Sequence, residues 1–222
     1  MPVIYLIGDS TVEDNKPPFR GWGWALPQFV KDGVQVKNCA LSGRSSRSFW
    51  EEGLFKPVEE GLKAGDMLLI QFGHNDEKDD ERHTDPDTTY PEHLWRYCQF
   101  ALDRGAQPVL FTPVSRRFFV VDGNMLYTHG EYPRAVKKLA AEKNVPLCDL
   151  KKASRELYLK LGEKKTAELF VRIAPGENPD FPEGHDDKTH FNAAGAITIC
   201  RLAVKEMIRY PVCAQYLKEE AL

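Results

Sequence analysis

The chain has 222 residues, a length that favours one large α/β domain, and we expect residues 1–222 to form a single domain. Hydrophobic residues make up 42% of the chain and charged residues 28%, and the formal net charge of −3 disfavours a nucleic-acid-binding protein. The sequence lacks both a run of 18 apolar residues and the basic segment and cleavage site of a signal peptide. We therefore expect a cytoplasmic protein with no membrane partner.

Strand and helix patterns alternate along the chain. Apolar runs predict strands at residues 2–7, 34–38, 66–72, 108–112 and 145–149. Helical spacing predicts helices at residues 22–31, 56–64, 91–105, 131–143, 149–162 and 192–209. The inner face predicted for the last helix is Ala193, Ala194, Ile197, Cys200, Val204 and Met207 or Ile208. This alternation predicts a parallel sheet of about five strands with helices on both faces.

Three long connections separate these elements, at residues 77–89, 114–130 and 163–186. The first is the most charged stretch of the chain, and its composition favours a solvated loop. Long connections are often functional, and the sequence leaves open whether residues 77–89 or 114–130 close over a site. The five cysteines are widely spaced and odd in number, which predicts free thiols.

Polar clusters follow the first three predicted strands, at the point where each strand ends. They are Gly8-Asp9-Ser10, Leu41-Ser42-Gly43-Arg44 and Gly73-His74-Asn75-Asp76. Because ligands of such sheets bind outside the carboxyl ends of the strands, the fold alone would bring these turns to one edge. We expect residues 12–15, which follow the first cluster, to form one wall of the cleft.

A serine nucleophile at Ser10 needs a base, an orienting carboxylate and donors for the oxyanion. His190 is the best base among the six histidines, because Asp187 precedes it by three residues and a helix follows. Taken alone, this pair is weak evidence for catalysis and is more typical of a helix entrance with a capping Asp or Asn. Asn75 and Gly43 are candidate oxyanion donors, and each is also an ordinary turn residue.

Together these blocks resemble the SGNH (GDSL-type) hydrolases, and the resemblance spans residues 8–195. It implies a three-layer α/β/α, flavodoxin-like fold. It further implies Ser10 as nucleophile, His190 as general base and then acid, and Asp187 as the orienting residue. The implied oxyanion hole combines the backbone N–H groups of Ser10 and Gly43 with the Asn75 side chain. No metal or organic cofactor is implied.

A finer resemblance concerns the substrate. The motifs "GDST", "RGWGW", "SGRSSRSF", "QFGHND" and "DKTHFNAAGA" are similar to the rhamnogalacturonan acetylesterase branch, which removes acetyl groups from pectic polysaccharide. The expected partner is therefore an acetylated oligosaccharide. Trp22 offers a flat surface for a sugar ring, although core packing is its commoner role. Arg44 suits a uronate carboxylate, as do Arg47, Arg116 and Arg117, and surface pairing is the alternative. His74 either touches the substrate or braces its loop.

Other functions remain open from the sequence. Within the same superfamily, a lipase, arylesterase, thioesterase or acetyl-xylan esterase is possible. A metal-dependent phosphoesterase would use Asp9, Asp76, His74 and His190 as ligands, but lacks a closely spaced ligand pair. A non-catalytic carbohydrate-binding protein would not need the complete set of Ser10, Asp187 and His190. Oligomeric state is not predicted.

Overall fold

A computed structural model of the chain describes residues 1–218. The main sheet has five parallel strands in the order β2-β1-β3-β4-β5. Their bounds are β1 Val3–Gly8, β2 Gln35–Asn38, β3 Met67–Gln71, β4 Gln107–Phe111 and β5 Leu147–Cys148. The predicted parallel α/β sheet is thereby confirmed. Strand β1 has β2 on one side and β3 on the other, so the direction in which the chain adds strands reverses at β1. Doubly wound sheets open a crevice for ligands at such a point.

Helices cover both faces of this sheet. The α-helices are α1 Ser46–Glu51, α2 Lys56–Gly61, α3 Thr89–Asp103, α4 Tyr132–Lys143, α5 Leu150–Ala167, α6 Ala193–Met207 and α7 Pro211–Ala214. A 3₁₀ helix at Trp22–Gln28 stands where a Pro-interrupted helix was predicted. Helix α5 changes direction at Gly162, which has a φ of 73°, and then continues to Ala167 instead of ending at Gly162 as predicted.

The strands supply two cores because successive side chains point to opposite faces. On β1, Ile4 and Leu6 join the core formed with α5, α6 and the 3₁₀ helix. Tyr5 and Ile7 join the core formed with α1 to α4 on the other face. Near-continuous burial of β1 and β3 follows from their central position. The molecule therefore has three layers, with helices on either side of the sheet.

A separate two-stranded antiparallel ribbon was not predicted. It consists of β6 Phe170–Ile173 and β7 His185–Phe191, so β6 and the first two residues of β7 lie in the stretch 163–186 that we expected to be a loop. The prediction of the inner face of α6 was also partly wrong. Cys200, Val204 and Met207 are buried, but Ala193 and Ala194 are exposed. Gly195 and Ala196 are buried in their place, so the buried face begins two residues later.

The cysteines agree with the prediction of free thiols. All five cysteines are free, and four of them are buried. None of the described helices is both long enough and apolar enough to span a membrane.

Candidate active site

Ser10, His190 and Asp187 form a continuous hydrogen-bonded chain at the carboxyl edge of the sheet. Ser10 follows β1, and its Oγ lies 2.8 Å from Nε2 of His190. Nδ1 of His190 lies 2.8 Å from Oδ2 of Asp187. Burial alone would raise the pKa of the Asp187 carboxyl, but its hydrogen bonds to His190 hold that pKa well below its ordinary value. Asp187 is therefore ionised and accepts the Nδ1 proton of His190, which leaves Nε2 free to accept a proton from Ser10.

An irregular segment of β7 presents the base and its carboxylate together. Phe170 pairs with Phe191 and Arg172 pairs with Asp186, so only Val171 stands opposite residues 187–190. The Asp187 carboxylate fills this bulge by accepting the backbone N–H groups of Thr189 and His190 at 2.7 and 2.8 Å. Residues three apart on a regular strand would point to opposite faces, so the bulge is what brings Asp187 against His190.

Arg117 clamps the same bulge from outside. Its side chain is 5% exposed and donates to Oδ1 of Asp186 and to the backbone oxygen of Asp187. Its backbone N–H donates to the oxygen of Lys188 at 2.7 Å. Arg117 is thereby occupied within the protein, which contradicts its suggested role in binding a uronate group.

The turn after β2 provides the second edge of the site. Gly43 has a φ of 79°, a conformation that favours glycine, and no backbone or side-chain atom approaches the position of its missing Cβ within 4 Å. Within residues 1–218, the backbone N–H groups of Ser10 and Gly43 are not used in backbone hydrogen bonds. Both residues border the cavity in front of Ser10, which makes their N–H groups candidate donors to an oxyanion.

Asn75 is fixed in an orientation that leaves a donor for the same oxyanion. Its Nδ2 donates to the backbone oxygen of Arg44 at 3.1 Å, and its Oδ1 accepts from Nη1 of Arg82 at 3.3 Å. An amide nitrogen has two protons, so one remains after the bond to Arg44. Asn75 borders the cavity together with Ser10 and Gly43, as the sequence predicts for an oxyanion hole.

Glu13 and Asn15 connect the Ser10 and Gly43 turns. The Glu13 carboxylate accepts the backbone N–H of Ser42 at 2.7 Å and also accepts the Ser42 hydroxyl. Asn15 donates to the backbone oxygen of Ser10 at 2.9 Å and accepts from the Ser42 hydroxyl at 3.0 Å. These two side chains therefore fix the spacing of two of the oxyanion donors, a role that the sequence did not reveal.

Trp22 does not contact the cavity, which corrects its suggested role in stacking on a sugar. Its side chain is fully buried, and its ring centroid lies 5.2 Å from that of Phe111. The indole Nε1 donates to Oε1 of Gln71 at 2.9 Å, and Nε2 of Gln71 donates to the Thr11 hydroxyl. Thr11 in turn donates to Oδ1 of Asp9, so Trp22 supports the turn that carries Ser10 from beneath.

His74 is 4% exposed and belongs mainly to a buried polar chain. Its Nδ1 lies 3.2 Å from Oδ2 of Asp9, and its ring centroid lies 4.4 Å from that of His129. Burial lowers the pKa of His74. Interactions with His74 and Thr11 hold the pKa of the Asp9 carboxyl below its ordinary value, although burial alone would raise it. This placement favours bracing of the loop over contact with a substrate.

Arg44 does not face the cavity. Its guanidinium is paired with Glu52 at 2.8 Å and donates to the backbone oxygen of Ser42. The contribution of Arg44 to the site is its carbonyl oxygen, which orients Asn75. The suggestion that its side chain binds a uronate group is therefore wrong.

Two cavities meet at Ser10. The first arm has a volume of about 740 Å³ and includes Asn15, Phe19, Ser42, Arg82 and Phe181 in its lining. The second arm has a volume of about 370 Å³ and includes His74, Glu77, Arg116 and Phe118. Ser10, Asn75, Lys78 and His190 border both arms. Volumes of this order accommodate small organic ligands.

Residues 77–89 contribute to this groove, although their composition favoured a solvated loop. Arg82 is held by Asp80 and reaches Asn75 and the backbone oxygen of Gly43. Arg116 is paired with Glu77. Lys78 is exposed and borders both arms. Lys78 and Arg82 thus come from a charged run, in which the sequence gives no sign of which side chains face the site, whereas Arg116 comes from the connection at residues 114–130.

The four side chains considered as ligands for a catalytic metal do not converge. Asp9 and His74 face one another, and His190 is engaged by Ser10 and Asp187. Asp76 accepts hydrogen bonds from Ser46 and Thr84 beneath the turn. In the described part of the chain, no group of three or more His, Cys, Asp or Glu side chains is arranged to hold a metal ion.

The family model of GDSL-like lipases and acylhydrolases matches residues 6–196, which include the whole of this constellation. The chain belongs to the GDSL-like lipase/acylhydrolase family. This GDSL-like acylhydrolase is 42% identical to rhamnogalacturonan acetylesterase RhgT of Bacillus subtilis, over 91% of the chain and 88% of the relative. It is 36% identical to the probable rhamnogalacturonan acetylesterase YesY of the same organism, over 97% of the chain and 98% of that relative.

A solved structure supports the same assignment of fold. The crystal structure of protein YxiM from Bacillus subtilis superposes with a TM-score of 0.81 at 28% identity. The match covers 94% of this acylhydrolase and 56% of the YxiM chain, so the present chain spans little more than half of that protein. The resemblance to SGNH hydrolases and the three-layer fold that it implies are confirmed.

Proposed function

We propose that this GDSL-like acylhydrolase is a serine esterase that removes O-acetyl groups from rhamnogalacturonan oligosaccharides through an acetyl-enzyme intermediate. The observation that carries the proposal is the chain from Ser10 Oγ through His190 to Asp187, with both hydrogen bonds at 2.8 Å. It lies at the junction of an open two-armed groove. The names of RhgT and YesY support the choice of sugar ester.

In the first step, His190 accepts the proton of Ser10 while Oγ attacks the acetyl carbonyl carbon. The carbonyl oxygen becomes an oxyanion between the N–H groups of Ser10 and Gly43 and the Asn75 amide. Such donors stabilise the transition state because they are fixed before charge develops. The protonated His190 then donates its Nε2 proton to the departing sugar oxygen, which leaves the acetyl group on Ser10.

In the second step, His190 accepts a proton from a water molecule that attacks the acetyl carbonyl. The same three donors hold the second oxyanion. Collapse of that intermediate returns the proton from His190 to Ser10 Oγ and releases acetate. All of the groups required for both steps are already positioned by β1, β3, β7 and the turn after β2.

The groove supports a substrate that continues on both sides of the acetylated sugar. Because the two arms meet at Ser10, an acetyl group on an internal residue reaches the nucleophile while its neighbours occupy the arms. Phe19 and Phe181, whose ring centroids are 6.0 Å apart, border the first arm and offer apolar surface for a sugar. Lys78, which borders both arms, is our candidate partner for a uronate carboxylate, in place of Arg44.

The test is acetate release from acetylated rhamnogalacturonan oligosaccharides by wild type and Ser10→Ala, with acetylated xylooligosaccharides and long-chain acyl esters as competing substrates. We expect the rhamnogalacturonan ester to give the highest kcat/KM and Ser10→Ala to be inactive. Preference for xylan esters or for long acyl chains would exclude the proposed substrate. Full activity of Ser10→Ala would exclude the proposed nucleophile. The cytoplasmic location and the single domain remain predictions from the sequence.

A further inference from the structure

A second histidine is bound to the carboxylate that orients the base. Nε2 of His185 lies 3.0 Å from Oδ2 of Asp187, the same oxygen that accepts from Nδ1 of His190 at 2.8 Å. Two imidazole rings on one strand therefore share one carboxylate oxygen. The proposed acyl transfer accounts for His190 and leaves His185 without a role.

The contact completes the hydrogen bonding of Asp187. Oδ1 accepts the backbone N–H groups of Thr189 and His190, while Oδ2 accepts from the two rings. An ionised carboxylate is an acceptor only, so both histidines must donate. Asp187 therefore fixes a proton on Nε2 of His185 as well as on Nδ1 of His190, and four donors restrict rotation of the carboxylate.

Aromatic packing holds the His185 ring in this position. Its centroid lies 4.8 Å from that of Phe181 and 6.0 Å from that of Phe19. Phe19 also packs edge-on against the ring of His190, with centroids 5.9 Å apart. The walls of the first arm are thus in direct contact with both histidines of the Asp187 cluster.

We propose that His185 is a positioning residue for the acyl transfer proposed above, acting through Asp187. Its Nε2–H holds the carboxylate in line with His190 and withdraws part of the negative charge from Oδ2. A hydrogen-bond donor on a carboxylate weakens the attraction between that carboxylate and a neighbouring imidazolium. His185 therefore aligns His190 through the carboxylate oxygen that the two rings share. This inference rests on the proposed function, because the reaction is what gives the alignment its value.

Charged groups on every side of His185 bear on the pH dependence. On its own strand, Asp186 is occupied by Arg117 and by Arg172 of β6. Glu177 and Glu183 border the cavity that His185 shares with β6. Asp187 is the carboxylate that lies within 4 Å of the His185 ring. Since these groups are common to all variants of His185, differences among the variants report on the bond to Asp187.

Two substitutions separate the hydrogen bond from the packing. His185→Phe keeps an aromatic ring between Phe19 and Phe181 but removes the donor. His185→Gln places an amide N–H at the same number of bonds from the backbone as Nε2 but removes the ring. Hydrolysis of p-nitrophenyl acetate gives kcat, KM and the pH profile. Proton NMR of the His190 Nδ1–H resonance follows the hydrogen bond from His190 to Asp187 without catalysis. Thermal unfolding verifies that each variant is folded.

We expect His185→Phe to lower kcat about tenfold with little change in KM, and to move the acidic limb of the profile to higher pH. We expect His185→Gln to stay within about threefold of wild type and to keep the wild-type profile. The His190 Nδ1–H resonance should change in His185→Phe and not in His185→Gln. Equal losses in both variants, or wild-type behaviour of His185→Phe, would overturn the proposal. An inactive wild type would reject the proposed esterase function, whereas the NMR comparison would still decide the role of His185.

Discussion

Replacement of Asn75 by Ala tests the oxyanion hole most directly. Asn75 is 8% exposed and is held at both ends of its amide, by the Arg44 oxygen at 3.1 Å and by Arg82 at 3.3 Å. The amide is therefore already oriented before a substrate binds. In Asn75→Ala, the N–H groups of Ser10 and Gly43 remain as the other two donors of the hole.

The expected loss is about 10² to 10³ in kcat, which corresponds to about 3 to 4 kcal/mol of transition-state stabilisation. KM should change little, because the amide acts on charge that develops only after the substrate has bound. The substitution also leaves the Arg44 oxygen without its partner. That loss should cost about 1 kcal/mol of unfolding free energy, or about 2 to 4 °C in Tm for a chain of this size.

Steady-state kinetics with an acetyl ester provide the assay, and thermal unfolding confirms that the variant is folded. Asn124→Ala is a matched control, because Asn124 lies in an exposed turn and its side chain bonds only to the neighbouring Asp122. The control should have wild-type kinetics. If a folded Asn75→Ala lost less than about tenfold in kcat, or if its loss lay wholly in KM, the amide would not be an oxyanion donor.

Three further substitutions test the support of the site. A Cβ at Gly195 would lie 1.9 Å from the backbone oxygen of Leu169. Gly195→Ala should therefore lower Tm by several degrees, at about 2 to 4 °C for each kcal/mol of unfolding free energy that is lost. An unchanged Tm would contradict the packing of α6 on the ribbon. Burial raises the pKa of Asp76 to about 6, so the folded protein takes up a proton there before the unfolded chain does. The unfolding free energy of wild type relative to Asp76→Asn should therefore fall by about 2 kcal/mol as pH rises from 4 to 7, and urea titrations showing a rise would refute this. Lys78→Gln should raise KM for a uronate-containing oligosaccharide but not for p-nitrophenyl acetate, and equal effects on both would remove Lys78 as a carboxylate partner.

The elements that the sequence predicts well are those whose burial is strongest. Strands β1 and β3 are apolar almost throughout because both of their faces are covered, and such runs are visible without any partner. The ribbon was missed because β6 has only four residues and β7 carries charged and polar side chains along most of its length. Its stability comes from packing and from the Arg117 clamp, which depend on contacts distant in the chain.

The same distinction applies to the site. Ser10, Gly43 and Asn75 stand at positions set by strand ends, where the topology of a parallel sheet brings turns together. His190 belongs to the ribbon, and the sequence indicates it through its spacing from Asp187 and the helix that follows. Trp22 and Arg44 were misjudged because residue type alone does not give the direction of a side chain. Asn15 borders the cavity, as expected for the segment 12–15. The hydrogen bonds of Glu13 and Asn15 and the positions of Lys78 and Arg82 were missed because they arise from loop conformation, which leaves no periodic pattern.

The candidate catalytic groups are divided between the main sheet and the bulged ribbon of β6 and β7. The candidate nucleophile and oxyanion donors follow strands of the main sheet, whereas the base and its carboxylate belong to a short antiparallel pair. The pair is joined to the rest of the site by the backbone bonds of Arg20 to Phe191 and Arg117 to Lys188. Small units of this kind open at lower free energy than a central sheet does. If the ribbon opened in this way, His190 would be withdrawn from Ser10 while β1 to β5 remained paired. The enzyme would then lose activity at a temperature below that of global unfolding. Added bonds between the ribbon and the sheet would raise the temperature of inactivation without changing the temperature of global unfolding.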